Sequence, residues 1–410
     1  MTRRAAAGTT SSRDPYGIGP ARSFVAPAIA ALALVLVAVI TLSLMNGQLP
    51  FRTGGGGGGG GAGQGPQLTP APSNVVIVEP EVTFPGSIVY AKAGNIWIQS
   101  GHDARQLTNS GYDSMPSFSP DGKDVYFIRV GTGSGKHTEG GQYSWFDLST
   151  PTVMKVPLDG SADPTPVVGG RIKSGRDLWF FWMREPVLSP DGRTIAVMSD
   201  GPNPFQSDVT LQFYDTKTKK FTKPKLAQNG LGHQDPAWSP QGTLAFVKNA
   251  RDGSRGAAQI LVYYPGTKKV RTITGPGYLA PAWSPDGRYL AATKTDSFGT
   301  DVVILDADNG NELLRVTNDH HSFSPVWSPA GDAISFLRLD GAIADLFMDK
   351  LDGTPGNWTK GEETQLTEVS GLDASSRPGW FIPASELPAP SPSASPSPSA
   401  GSAAPASTAP

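Results

Sequence analysis

The sequence contains no cysteine. That excludes disulfides, thiolate-held metals and a cysteine-linked lipid anchor. Net charge is small as well: −2 over 410 residues, with 34 Lys and Arg against 36 Asp and Glu. Nothing in it marks a nucleic-acid binder. No Gly-x-Ser-x-Gly elbow occurs. The run of eight glycines at Gly54–Gly61 lacks the lysine and Ser/Thr that complete a phosphate loop. Glycine (49) and proline (38) lengthen the chain without adding core.

What the chain does have is a recurring phrase. Pro116-Ser117-Phe118-Ser119-Pro120-Asp121-Gly122 returns at Pro186–Gly192, Pro236–Gly242, Pro281–Gly287 and Pro325–Gly331. The aromatic slot holds Leu188, Trp238, Trp283 and Trp327 in those copies. A worn sixth copy is Arg377-Pro378-Gly379-Trp380-Phe381. Ser-Pro-Asp-Gly is a tight turn, with proline presetting one backbone angle and glycine taking the left-handed exit. Alternating runs follow each turn, such as Ile195/Val197 and Ile334/Phe336. Period-two alternation marks a half-buried strand. Further strands and polar turns complete four antiparallel strands per unit, which is one propeller blade. The phrase serines step by 70, 50, 45 and 44 residues. The short steps match a blade, and the long one carries an insertion.

These repeats resemble the TolB-like β-propeller repeat, a relative of WD-type propellers, over about residues 87–382. The resemblance implies an all-β, six-bladed β-propeller of four-stranded blades. It implies no single activity, because the fold hosts binders and enzymes alike. The namesake of the family suggests protein–protein contact at the cell envelope.

Six phrase copies imply six blades. No second strand follows Trp380, whereas Ser87–Lys92, Asn95–Ile98 and Arg105–Thr108 have no phrase before them. One blade is therefore expected to take its inner strand from Pro378–Phe381 and its outer three from Ser87–Thr108. Such closure covers edges that an open sheet would expose.

The remaining segments sort by composition. Residues 1–23 are expected to be cytoplasmic. Residues 24–45, Phe24 to Met45, carry no charge and suffice for one transmembrane helix. Arg3, Arg4, Arg13 and Arg22 precede the span and Arg52 follows it. The positive-inside rule then places the propeller outside the cell membrane. A cleaved signal peptide is the rival reading. Residues 46–86 read as a Gly/Pro-rich linker and 383–410 as a disordered Pro/Ser/Ala tail, plain or glycosylated.

Two groups of residues are candidates for function. The loops Gly131–Thr150 and Gly169–Glu185 of the expanded blade are expected to open on one face. They carry Trp145, Phe146, Arg176, Trp179, Phe180, Phe181, Trp182 and Arg184. Aromatic and arginine side chains favour binding hot spots; alternatively the insertion packs them on its own blade. The second group precedes the phrase prolines, beside the central channel. It comprises Asp113, Glu185, His233, Asp235, His320, His321, Asp373 and Arg377. Imidazoles with carboxylates suit a metal or acid–base chemistry; alternatively they cap strands. A basic tip at Lys217, Lys219, Lys220, Lys223 and Lys225 reads as a solvated hairpin.

The sequence thus points to a membrane-anchored extracytoplasmic propeller that binds an envelope protein or surface ligand. No catalytic residue, metal or cofactor is assigned. The alternative is a glycan-active or metal-dependent lyase or hydrolase working at the channel mouth.

Overall fold

The computed structural model describes residues 76–80, 82–139, 141–201, 208–226, 232–249 and 257–387. The apolar run 24–45, most of the 46–86 linker and the tail from 388 lie outside the described residues. Among the described residues no helix is long and apolar enough to cross a membrane.

Six antiparallel sheets form the blades. Blade 3 holds β11 (Met183–Leu188), β12 (Thr194–Ser199), β13 (Thr210–Asp215) and β14 (Lys220–Thr222). Blade 4 holds β15 (His233–Trp238), β16 (Leu244–Lys248), β17 (Gln259–Tyr264) and β18 (Lys269–Thr272). Blade 5 holds β19 (Tyr278–Trp283), β20 (Tyr289–Thr295), β21 (Thr300–Asp306) and β22 (Glu312–Arg315). Blade 6 holds β23 (Ser322–Trp327), β24 (Ala333–Asp340), β25 (Ile343–Thr354) and β26 (Asn357–Gln365).

Blade 1 closes the ring as the worn sixth phrase predicts. Its inner strand is β27 (Gly379–Phe381), paired with β2 (Ser87–Lys92) through Ile88 opposite Trp380. β3 (Asn95–Ser100) and β4 (Asp103–Gln106) follow. A fifth strand, β1 (Val76–Val78), adds to the outer edge from within the stretch that composition assigned to linker. Trp380 is buried, meets Phe84 edge-on at 5.8 Å and donates its indole N–H to Pro85 O at 2.9 Å.

Each strand face feeds a different interface. In β2, Ile88 and Tyr90 pack toward blade 6, whereas Val89 and Ala91 pack toward blade 2. Six apolar clusters result, each shared by two neighbouring blades. The core is therefore a ring of interfaces that closes on itself, and no blade is buried alone.

The phrase turns carry the chemistry their residues dictate. Ser189 Oγ donates to Asp191 Oδ1 at 2.6 Å and accepts the Thr194 amide at 2.9 Å. Gly192 takes φ +71° while its amide bonds Ser189 O. Where alanine replaces the aspartate, at Ala330, Ser328 Oγ turns to Asp332 instead.

Blade 2 differs. β5 (Asp113–Phe118) pairs with β6 (Asp124–Glu139), which pairs with β7 (Gln142–Pro157), and β8 (Thr165–Gly169) lies outside. β6 and β7 are 16 residues each, against 6 for β12 and β13. The expected loops Gly131–Thr150 and Gly169–Glu185 are thus largely strands, a correction to the sequence reading. The β6–β7 hairpin pairs continuously out to Glu139 and Gln142. A second hairpin, β9 (Arg171–Ser174) and β10 (Asp177–Phe180), docks on it with Leu178 opposite Lys136. Alternating Gly131, Gly133 and Gly135 hid the strand from periodicity. At Gly135 a Cβ would sit 2.6 Å from Phe146, so glycine is what lets that ring lie across the ribbon.

Candidate functional site

A four-stranded blade sends two kinds of loop to each end of the ring. Phrase turns and outer hairpins occupy the turn face; middle-strand hairpins and blade-to-blade return loops occupy the return face. Exposed apolar side chains are divided unevenly between them. Tyr112, Trp182 and Val369 lie on return loops. Tyr143, Trp145, Phe298 and Ile343 lie at middle-strand hairpins. Of the large exposed hydrophobics among the described residues, just Val270, Leu313 and Leu387 lie elsewhere. Phe298 is 78% and Val369 72% exposed, far beyond what packing requires. Exposed apolar side chains gathered on one end of a fold mark an interaction site more often than ones spread over the whole surface.

The blade 2 extension rises from this face. Its nine residues from Gly131 to Glu139 span about 30 Å at strand pitch. Trp145 and Tyr143 are each 60% exposed, and Lys136 Nζ sits 4.0 Å from the Tyr143 ring centre and 5.4 Å from that of Trp145. On the opposite side of the ribbon Phe146 and His137 pack on Trp179, at 5.9 and 5.0 Å. Phe180 lies beside Gly133. Phe181 is buried against Phe221 of blade 3 and is core. Trp182 is exposed, while its amide is held by Asp200 Oδ1 at 2.6 Å. Arg176 is exposed, and Arg184 bonds Glu185 Oε1 at 2.7 Å. The predicted aromatic group therefore divides. Trp145 and Trp182 face outward, Phe146, Trp179 and Phe180 brace the extension, and Phe181 belongs to the core between blades 2 and 3.

The channel candidates divide too. Five inner strands shift register just before the phrase proline. Met115, Glu185, Asp235, Ala280 and Ser324 stand there at φ of 47–56°. Side chains other than glycine are uncommon in that region. Each of their amides finds a partner on the preceding blade. Met115 N donates to Ser376 Oγ, Glu185 N to Met115 Sδ, Asp235 N to Glu185 Oε2, Ala280 N to Asp235 Oδ2 and Ser324 N to Thr293 Oγ1. Asp373 anchors the first link by accepting Ser376 Oγ at 2.6 Å. Arg377 crosses the ring, donating to Pro236 O at 2.6 Å and Pro281 O at 2.9 Å. Burial, then the Asp235 carboxylate, pushes the Glu185 carboxyl above its usual range, and Arg184 and Arg377 oppose the shift. Glu185, Asp235, Asp373 and Arg377 are thus members of one inter-blade relay.

The other four channel candidates stand outside that relay. Asp113 is held by Arg129 through two bonds of 2.7 and 2.9 Å. His233 is buried, and its Nδ1 accepts the Leu211 amide at 3.3 Å. In blades 1, 4, 5 and 6 the equivalent amides, of Ile96, Ile260, Val302 and Leu346, go to Thr108, Thr274, Thr317 and Thr367 Oγ1. His233 therefore does a threonine's work in blade 3. His320 Nδ1 lies 3.0 Å from Asp301 Oδ2, and the His321 amide donates to Asp319 Oδ1.

One three-ligand group escaped the sequence reading: Asp296, Asp301 and His320 bring their ligand atoms within 4.8 Å of one another. Arg315 Nη1 already stands 3.0 Å from Asp301 and 3.9 Å from Asp296, where a cation would sit. Asp301 also accepts the His320 amide at 3.0 Å, as Asp345 accepts that of Ser370 in blade 6. The group serves as a return-loop cap. Tyr112, Tyr143, Phe298 and Val369 were missed because single exposed residues in loops carry no periodic signal. The basic tip Lys217–Lys225 lies on the turn face, as does a shallow depression lined by Tyr264, Thr267, Lys269, Val270 and Arg271.

No protein-family model and no curated protein matches the chain. Among solved structures, TolB from Acinetobacter baumannii is similar at 18% identity with a TM-score of 0.51, covering 72% of this chain. The match takes in 66% of that protein, just under two thirds of its length. A TolB-assigned structure from Agrobacterium tumefaciens is 15% identical with a TM-score of 0.48, over 74% of this chain and 95% of that one. An oligogalacturonate lyase in complex with manganese is 14% identical with a TM-score of 0.44, over 70% and 85%. The first of these likenesses shows the propeller fold, and the fold alone.

Proposed function

We propose that this chain is a membrane-anchored, extracytoplasmic propeller that acts as a binding scaffold or sensor at the cell envelope. Its return face receives an envelope protein. The observation that carries the reading is the concentration of exposed Tyr112, Trp182, Phe298, Ile343 and Val369 on that face. The apolar run Phe24–Met45, with its arginine-rich upstream flank, supports an anchor with the N-terminus in the cytoplasm. The residues before the phrase prolines support a structural role at the channel, since their polar atoms are spent on blade-to-blade bonds. That arrangement favours binding over catalysis.

The test compares partner capture by the wild-type chain with capture by two charge variants. Phe298→Asp with Val369→Asp alters the return face, and Val270→Asp with Leu313→Asp alters the turn face. Loss confined to the first pair supports the reading. Equal loss, or loss confined to the second, refutes it.

A further inference from the structure

The blade 2 extension carries cations that no carboxylate pairs among the described residues. Lys136, Arg171, Lys173 and Arg176 form no salt bridge among the described residues, although the chain as a whole is slightly acidic. Of the acids on the extension, Asp147 accepts a bond from Ser134 Oγ at 3.2 Å, and Asp177 Oδ2 lies 3.8 Å from His137 Nδ1. Register sets a row across four strands. Lys173 lies opposite Leu178, Leu178 opposite Lys136, and Lys136 opposite Trp145. Directly opposed residues of antiparallel strands share one face. Cation, aliphatic, cation and indole therefore alternate along one sheet face, with Tyr143 beside them and 60% exposed.

We infer that this face rests on an anionic lipid surface. The charge is complementary to acidic headgroups, each Lys or Arg near such a surface adding about 1 kcal/mol of attraction. Trp and Tyr prefer the headgroup level, where an apolar body and a polar tip are both satisfied. Leu178 in the middle of the row favours a lipid surface over an acidic glycan, because acyl chains bury an aliphatic side chain more fully than a hydrated sugar does. The basic tip at Lys217–Lys225 serves as an internal contrast, since it has charge without an exposed aromatic partner. The inference goes beyond the proposed binding role and rests on it for proximity to the bilayer alone.

The absence of cysteine makes the test direct, because one introduced thiol labels a single site. A polarity-sensitive fluorophore is attached to the full chain at Ser134→Cys, on the same face as Lys136 and Trp145, or at Thr218→Cys on the basic tip. Vesicles are phosphatidylcholine alone or phosphatidylcholine with phosphatidylglycerol. The label at position 134 is expected to shift to the blue with the anionic vesicles and not with the neutral ones. The label at position 218 is expected to stay unchanged. Lys136→Glu with Lys173→Glu is expected to weaken the response about tenfold or more. Tyr143→Ser with Trp145→Ser is expected to remove the blue shift.

A shift that is absent, equal in both vesicles or indifferent to charge reversal overturns the inference. An equal shift with soluble hyaluronate and no lipid also overturns it, and assigns the face to an acidic glycan. If the Phe298/Val369 capture result stands while these fail, the membrane contact alone falls.

Discussion

Glu185 Oε2 accepts the backbone amide of Asp235 at 2.6 Å, and Asp235 Oδ2 accepts that of Ala280 at 2.9 Å. Two acids that sequence order separates by 50 residues are consecutive links in a relay around the channel. Removing one link leaves a buried donor without a partner, at a cost of about 1–3 kcal/mol. Glu185→Ala is therefore expected to lower the unfolding free energy by that amount, seen as a lower urea midpoint with an unchanged slope. Unaltered stability would separate the relay from the folding of the ring.

Blade 6 sets a pH dependence. Burial first, then Glu363, raises Asp349 from 3.8 to about 6, while Lys360 and Arg338 oppose the shift. Its folded value exceeds its unfolded one, so stability from the protonated form is complete below pH 3.8 and is lost as pH rises to about 6. Glu363 runs the other way. Bonds from Arg338, then Lys360, lower it from 4.5 to about 2, against burial. Its contribution is present above pH 4.5 and is lost as pH falls toward 2. Together these two groups favour a melting-temperature maximum where the windows overlap, at about pH 4, and Asp349→Asn is expected to flatten the upper slope. A slope unchanged in that variant would place its origin elsewhere.

His233 is expected to behave as a strut. His233→Ala should cost about 1–3 kcal/mol through the orphaned Leu211 amide. Added Zn or Mn should not change the melting temperature of the wild type, because Arg315 fills the Asp296–Asp301–His320 group of blade 5 and its return loop. A stoichiometric metal lost with His233 would contradict this and restore the enzyme alternative.

Closure makes the ring one cooperative unit. Trp380→Ala removes a buried indole from the blade 1–blade 6 interface, at about 3–5 kcal/mol. The loss should appear in a single transition that includes blade 4. Separate melting of blades 1 and 6 would show the closure to be local.

The repeat, the blade count and the closing strand were legible because they rest on local signals. Ser-Pro-Asp-Gly specifies a turn wherever it falls, and Trp380 without a following strand reveals the seam. The relay was not legible, because Glu185 and Asp235 meet through blade curvature and not through spacing. His233 read as a ligand because the threonines it replaces act from another position in their repeats. The extension read as loop because Gly131, Gly133 and Gly135 interrupt its pattern. Deleting residues 169–183 would remove Phe181 and Met183 from the core. Surface substitutions such as Trp145→Ala are the cleaner probe, with stability held within about 0.5 kcal/mol.

The most direct test of the binding role places a photo-crosslinking amino acid at Tyr112, Phe298 or Val369 on the return face, and at Val270 or Leu313 away from it, in intact cells. Protein adducts are expected from the first three positions and none from the last two. Adducts of equal yield from both sets, or from Val270 and Leu313 alone, would contradict that role.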